Sequence, residues 1–125
     1  MPAFAIAGAI LLAALVVFQV ALAAGAPLGR FAWGGQHDVL PRRLRIGSVI
    51  AIAIYAVFAL FLLSKAGLVS IIGDPLLSIG MWVILIYLAL GTLLNLISRS
   101  KYERALMTPV SLAVALSFLA VMLTA

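Results

Sequence analysis

The sequence contains no cysteine, one histidine (His37) and only three acidic residues, Asp38, Asp74 and Glu103, in 125 positions. The first absence excludes disulfides, thiolate nucleophiles and cysteine-ligated metals. A single histidine cannot assemble a metal site of the usual ligand number, so neither a metal nor another cofactor is expected. Charged residues make up 9% of the chain, against about 25% in soluble domains. So few charges cannot clothe a surface that faces water.

Hydrocarbon takes their place: 67% of the residues are hydrophobic and the mean hydropathy is +1.36. A membrane-crossing helix needs about 20 mostly apolar residues. Four stretches without a single charge meet that need, at about 4–24, 46–64, 76–97 and 105–124. They predict an all-α integral membrane protein, one antiparallel four-helix bundle over 1–125. The first stretch is read as a span and not as a secretory signal, because it lacks a basic leading segment and its apolar run exceeds the usual limit of about 15 residues.

The basic residues are unevenly placed. Loop 25–45 carries Arg30, Arg42, Arg43 and Arg45, and loop 98–104 carries Arg99, Lys101 and Arg104, while the other side of the predicted bundle has only Lys65. The positive-inside rule then puts both basic loops in the cytoplasm and both termini on the extracytoplasmic side of a cell membrane, the bacterial inner membrane. On this reading the net charge of +5 serves orientation and contact with membrane lipids, anionic headgroups included, and nucleic acid is not an expected partner.

Local signals mark the helix ends. Ser100 and Glu103 in "SKYE" have capping-box spacing, which predicts a fourth helix starting near Lys101. "GDP" at 73–75 is a turn with proline placed to open the third helix. Pro109, about two turns into the fourth helix, lacks an amide donor and predicts a bend. Small residues such as Ala5, Gly8, Ala113 and Ser117 permit close helix packing. They also permit a homo-oligomer or a partner membrane protein.

Polar side chains within the spans are few and share a depth. Gln19, Ser48, Asn95, Thr108 and Ser111 all fall in the third of their helices nearest the basic loops. Tyr87, Gly91 and Asn95, spaced four apart, line one helix face. The pattern predicts a polar niche open to the cytoplasm; its competing reading is interhelical hydrogen bonding alone. No ionisable side chain other than tyrosine lies within a span, which argues against a proton-coupled pump.

Loop 25–45 supports several readings. Its glycines and arginines could cradle an anion or a headgroup. His37 beside Asp38 could act as a general base, or the histidine could simply bond loop backbone. The arginines could serve only as anchors, with Phe31 and Trp33 resting at the interface.

The stretches "GAPLGRFAWGGQHDVLPRRLRIGS" and "YLALGTLLNLISRSKYERALMTPV" carry a resemblance to a family of small, functionally uncharacterised four-span bacterial membrane proteins. It covers nearly the whole chain and implies a fold but no activity. Small multidrug-resistance transporters are similar in length but have a glutamate in their first helix, where this chain has Gln19. The phenylalanine-rich motif of fluoride channels and the arginine–glutamate pattern of the membrane-associated eicosanoid and glutathione enzymes have no counterpart here.

The function expected from the residues is that of a non-enzymatic membrane binding or accessory module that engages a lipid, a hydrophobic ligand or a partner helix. Gln19, Trp33, His37, Arg42, Arg43, Tyr87 and Asn95 are its candidate ligand-binding residues. The alternatives are an oligomeric small-solute transporter or channel, and a lipid-modifying enzyme that uses His37.

Overall fold

A computed structural model describes residues 2–124. Among them the regular structure is all helical: α1 (Pro2–Ala23), α2 (Arg42–Lys65), α3 (Leu76–Leu96) and α4 (Lys101–Thr124), with two single-turn 3-10 helices, Gly29–Phe31 and Trp33–Gly35, between α1 and α2. Each of the four is long and apolar enough to cross a membrane, yet only 17–28% of its most apolar window is buried inside the protein. Ile10, Val17, Ile86 and Leu123 are exposed. A helix that is apolar all round needs an apolar surround, and the bundle interior supplies only part of it.

Close contacts fix the packing. A Cβ on Gly8 of α1 would stand 2.7 Å from Leu62 Cδ2 of α2 and 2.9 Å from Ser117 Cβ of α4. A Cβ on Gly80 of α3 would overlap the Phe61 ring of α2. Asn95 near the end of α3 reaches Met107 and Ser111 near the start of α4. Early residues of one helix therefore meet late residues of the next, and the bundle is antiparallel. Its core holds Leu12, Phe58, Leu62, Met81, Ile84, Val114, Phe118 and Val121. A smaller cluster, Leu22, Ala32 and Leu40 with Phe18 and Leu44, tucks the α1–α2 connection onto the bundle end.

The helix ends follow from local chemistry. Gly25, at φ +96°, closes α1 by donating to Leu22 O while the Ala26 amide donates to Ala21 O, a turn that requires a left-handed residue. Ser100 Oγ accepts the Glu103 amide at 3.3 Å. The carboxylate of Glu103 does not close the reciprocal half of the box directly: the Ser100 amide donates to Ser98 Oγ at 3.2 Å, and Ser98 Oγ donates to Glu103 Oε1. At the opposite end Asp74 Oδ1 accepts both the amide (3.1 Å) and the hydroxyl (2.6 Å) of Ser78 in the first turn of α3. These two donors hold the Asp74 carboxyl below the usual carboxylate range. α4 runs through Pro109 as one helix.

One boundary differs from the reading of apolar runs. α2 begins at Arg42, directly after Pro41, so that Arg42, Arg43 and Arg45 occupy its first turns and not a loop. Positive charge is unfavourable at a helix N-terminus, which is why charge alone places the start later. Pro41 supplies the fixed φ from which the helix departs, and Arg45 turns back to donate from Nε to Ala23 O at 2.9 Å, at the carbonyl end of α1.

Candidate functional site

The two basic connections are joined at one end of the bundle. Ser100 Oγ donates to Arg30 O. The Phe31 and Tyr102 rings meet edge to face at 5.7 Å, and the Arg30 guanidinium lies 4.9 Å from the Tyr102 ring centre and 5.3 Å from that of Phe31. Gly35 sits so close to Ser100 that a Cβ there would overlap it. The connection between α1 and α2 thus becomes a roof over the end of the helices.

Beneath that roof is a cavity of about 540 Å³, in the size range of sites for one small ligand. Phe31, Trp33, Gly34 and Gln36 form its upper side, with Ser98, Arg99 and Glu103 at the rim. Phe18 and Gln19 of α1, Ala51 and Tyr55 of α2, Gly91 and Asn95 of α3, and Met107 and Ser111 of α4 form its walls. Below lie Tyr55 and Tyr87, whose rings flank Phe58 at 6.2 and 5.5 Å. α2 and α3 touch through Phe58–Tyr87 and Phe61–Gly80. Closer to the roof the residues of these two helices face the cavity instead of each other, which makes their seam the loosest in the bundle.

Of the seven residues singled out from the sequence, Gln19, Trp33, Tyr87 and Asn95 line this cavity. His37, Arg42 and Arg43 are exposed and lie outside its lining. Gln19 is 92% buried with its side-chain amide in hydrogen-bonding reach of Tyr55, and its Oε1 is covered by neighbouring atoms without a partner of its own. Asn95 is engaged, with Nδ2 3.1 Å from Ser111 Oγ and 3.3 Å from Met107 O, so it also joins α3 to α4. Ser48 and Thr108, polar residues at the same depth, lie outside the lining, and their hydroxyls are buried without partners.

Trp33 adopts φ +53°, a left-handed conformation that costs a non-glycine residue roughly 1–2 kcal/mol. Its ring packs against Gly47 of α2, where a Cβ would stand 3.0 Å away. Gly91 presents only open space: a Cβ there would meet nothing within 4 Å. Phe18, Phe31, Gly91, Arg99 and Glu103 belong to the cavity without having been candidates. Of these, Gly91 carried a signal in the sequence, through its four-residue spacing from Tyr87 and Asn95.

The lining combines apolar walls with a few convergent amides and hydroxyls, the composition common to small-molecule sites. His37 lies outside the lining, and the hydroxyl–carboxylate contact at the rim, Ser98 with Glu103, belongs to the start of α4, where Ser98 Oγ also accepts the Ser100 amide. In comparisons with known proteins, no family model, no curated protein and no solved structure matches the chain.

Proposed function

We propose that this chain is a small integral membrane binding module whose cavity holds one amphiphile drawn from the surrounding lipid. The observation that carries the reading is the cavity itself, about 540 Å³ under the roof, with mostly apolar walls and the amide of Asn95 and hydroxyl of Ser111 among its few polar groups. Apolar walls with a few polar groups suit a ligand that has an apolar body and one polar end. Gln19 lies four residues before the end of α1, about 6 Å down the helix axis. The loose α2–α3 seam supports entry from the side, past Tyr87 and Leu94, which line the cavity and are exposed.

In this reading the roofed end faces the cytoplasm and both termini face out, because seven of the eight basic residues gather at that end. The membrane is the bacterial inner membrane, as the family resemblance implies.

Native mass spectrometry of gently extracted protein tests the binding function. The expected result is one amphiphile retained per chain and lost in Gly91→Phe, whose ring would occupy the cavity. A chain that keeps no small molecule, or keeps it equally in Gly91→Phe, would overturn the reading.

A further inference from the structure

A second concavity adjoins the first. On the outer surface of the roof, Arg30, Asp38, Arg99, Lys101 and Tyr102 line a shallow groove, and Gly34, Gln36 and Arg99 line groove and cavity alike. The two spaces therefore share a rim: one side is apolar and within the helices, the other is basic and at the surface.

The groove brings three cations together with one carboxylate, Asp38. Among the described residues no carboxylate pairs with Arg30, Arg99 or Lys101. Two of the three rest against aromatic rings. Arg30 stacks against Phe31 and Tyr102, Lys101 Nζ lies 5.3 Å from the Tyr102 ring centre, and Ser100 holds the Arg30 carbonyl. Like charges gathered without partners repel one another, and a bound oxyanion removes that cost while accepting charge-assisted hydrogen bonds from arginine.

We propose that the ligand is an anionic amphiphile, with its phosphate-type headgroup in the groove among Arg30, Arg99 and Lys101 and its chain in the cavity. This rests on the cavity being a binding site and adds the charge of what binds. Arg99, common to both spaces, is where headgroup and chain meet.

Trp33 provides the readout. In a Trp82→Phe background it is the sole tryptophan, and it lines the cavity. Full-length protein in an uncharged maltoside detergent is titrated with phosphatidylglycerol or phosphatidylcholine brominated on the acyl chain, and quenching of Trp33 is followed. The expected result is tighter quenching by phosphatidylglycerol, with the preference reduced about fivefold by Arg99→Gln and unchanged by Lys65→Gln, the same charge loss at the far end.

Equal quenching by both lipids, with Gly91→Phe abolishing each, would overturn the anionic ligand and leave the cavity reading intact. Quenching indifferent to Gly91→Phe would overturn the cavity reading itself. Calorimetry with inorganic phosphate alone separates the two sources of this chemistry. Saturable binding lost in Arg99→Gln supports an oxyanion site that also accepts free phosphate, and lipid preference without phosphate binding supports a lipid headgroup.

Discussion

Asn95 Nδ2 lies 3.1 Å from Ser111 Oγ, and Ser111 Oγ in turn donates to Met107 O at 2.6 Å. One amide from α3 therefore enters the hydrogen-bonding of α4 just beyond Pro109, where the backbone has lost a donor. Asn95→Leu should destabilise the protein by about 0.5–1.5 kcal/mol, in the range of interhelical bonds in membranes. Ser111→Ala should cost less than Asn95→Leu, because the Asn95 amide retains Met107 O. Together the two changes should cost less than their sum, and a double-mutant cycle on unfolding in mixed micelles measures that coupling.

Gly91 and Gly8 should respond oppositely to the same substitution. Both occupy helix interiors, where alanine is favoured over glycine by roughly 1 kcal/mol. At Gly91 a Cβ meets open space, so Gly91→Ala should raise stability by about 0.5–1 kcal/mol. At Gly8 a Cβ falls 2.7 Å from Leu62 Cδ2 and 2.9 Å from Ser117 Cβ, so α1 must shift from α2 and α4, and Gly8→Ala should cost about 1–3 kcal/mol. Thermal unfolding in one detergent ranks the three proteins. Equal shifts for the two variants would contradict the packing described.

The four helices were legible in the sequence because each is an apolar run longer than a soluble core helix requires, and the depth of Gln19 and Asn95 was legible because polar residues in such runs stand out. The site was less so. Periodicity ranks faces only where one face is polar, and these helices are apolar on every side, so nothing in the run containing Tyr55 marks that residue as facing Gln19. Arg42 and Arg43 drew attention as a cluster, whereas the groove takes Arg30, Arg99 and Lys101 from segments about 70 residues apart. Only folding brings these together, through the Ser100–Arg30 hydrogen bond and the Tyr102–Phe31 contact. The left-handed backbone at Trp33 gave no warning either, since bulky residues rarely adopt it.

Asp74 should make the loop between α2 and α3 sensitive to acid. Its carboxylate accepts two hydrogen bonds from Ser78, which lower its pKa in the folded state relative to the unfolded chain. A depressed carboxylate contributes stability above its unfolded pKa of about 3.9, and that contribution is lost as the pH falls through the folded value. Unfolding midpoints should therefore fall as the pH drops below about 4, and Asp74→Asn should flatten this part of the profile. Stability that rises on acidification in the native chain but not in the variant would contradict the Ser78 contacts.

The orientation proposed for the chain can be read with two single cysteines, since there is none of its own to remove. His37, on the roofed end, and Gly73, in the connection ahead of α3, are both exposed, and a Cβ at Gly73 meets nothing within 4 Å. The basic cluster about His37 resists transfer across the membrane, while the loop around Gly73 has only Lys65 to hold it back. In intact cells a membrane-impermeant maleimide should therefore label Gly73→Cys and spare His37→Cys until the membrane is opened. Labelling of His37→Cys from outside would place the cavity mouth and the basic groove on the extracytoplasmic side, so any headgroup they hold would come from the outer leaflet.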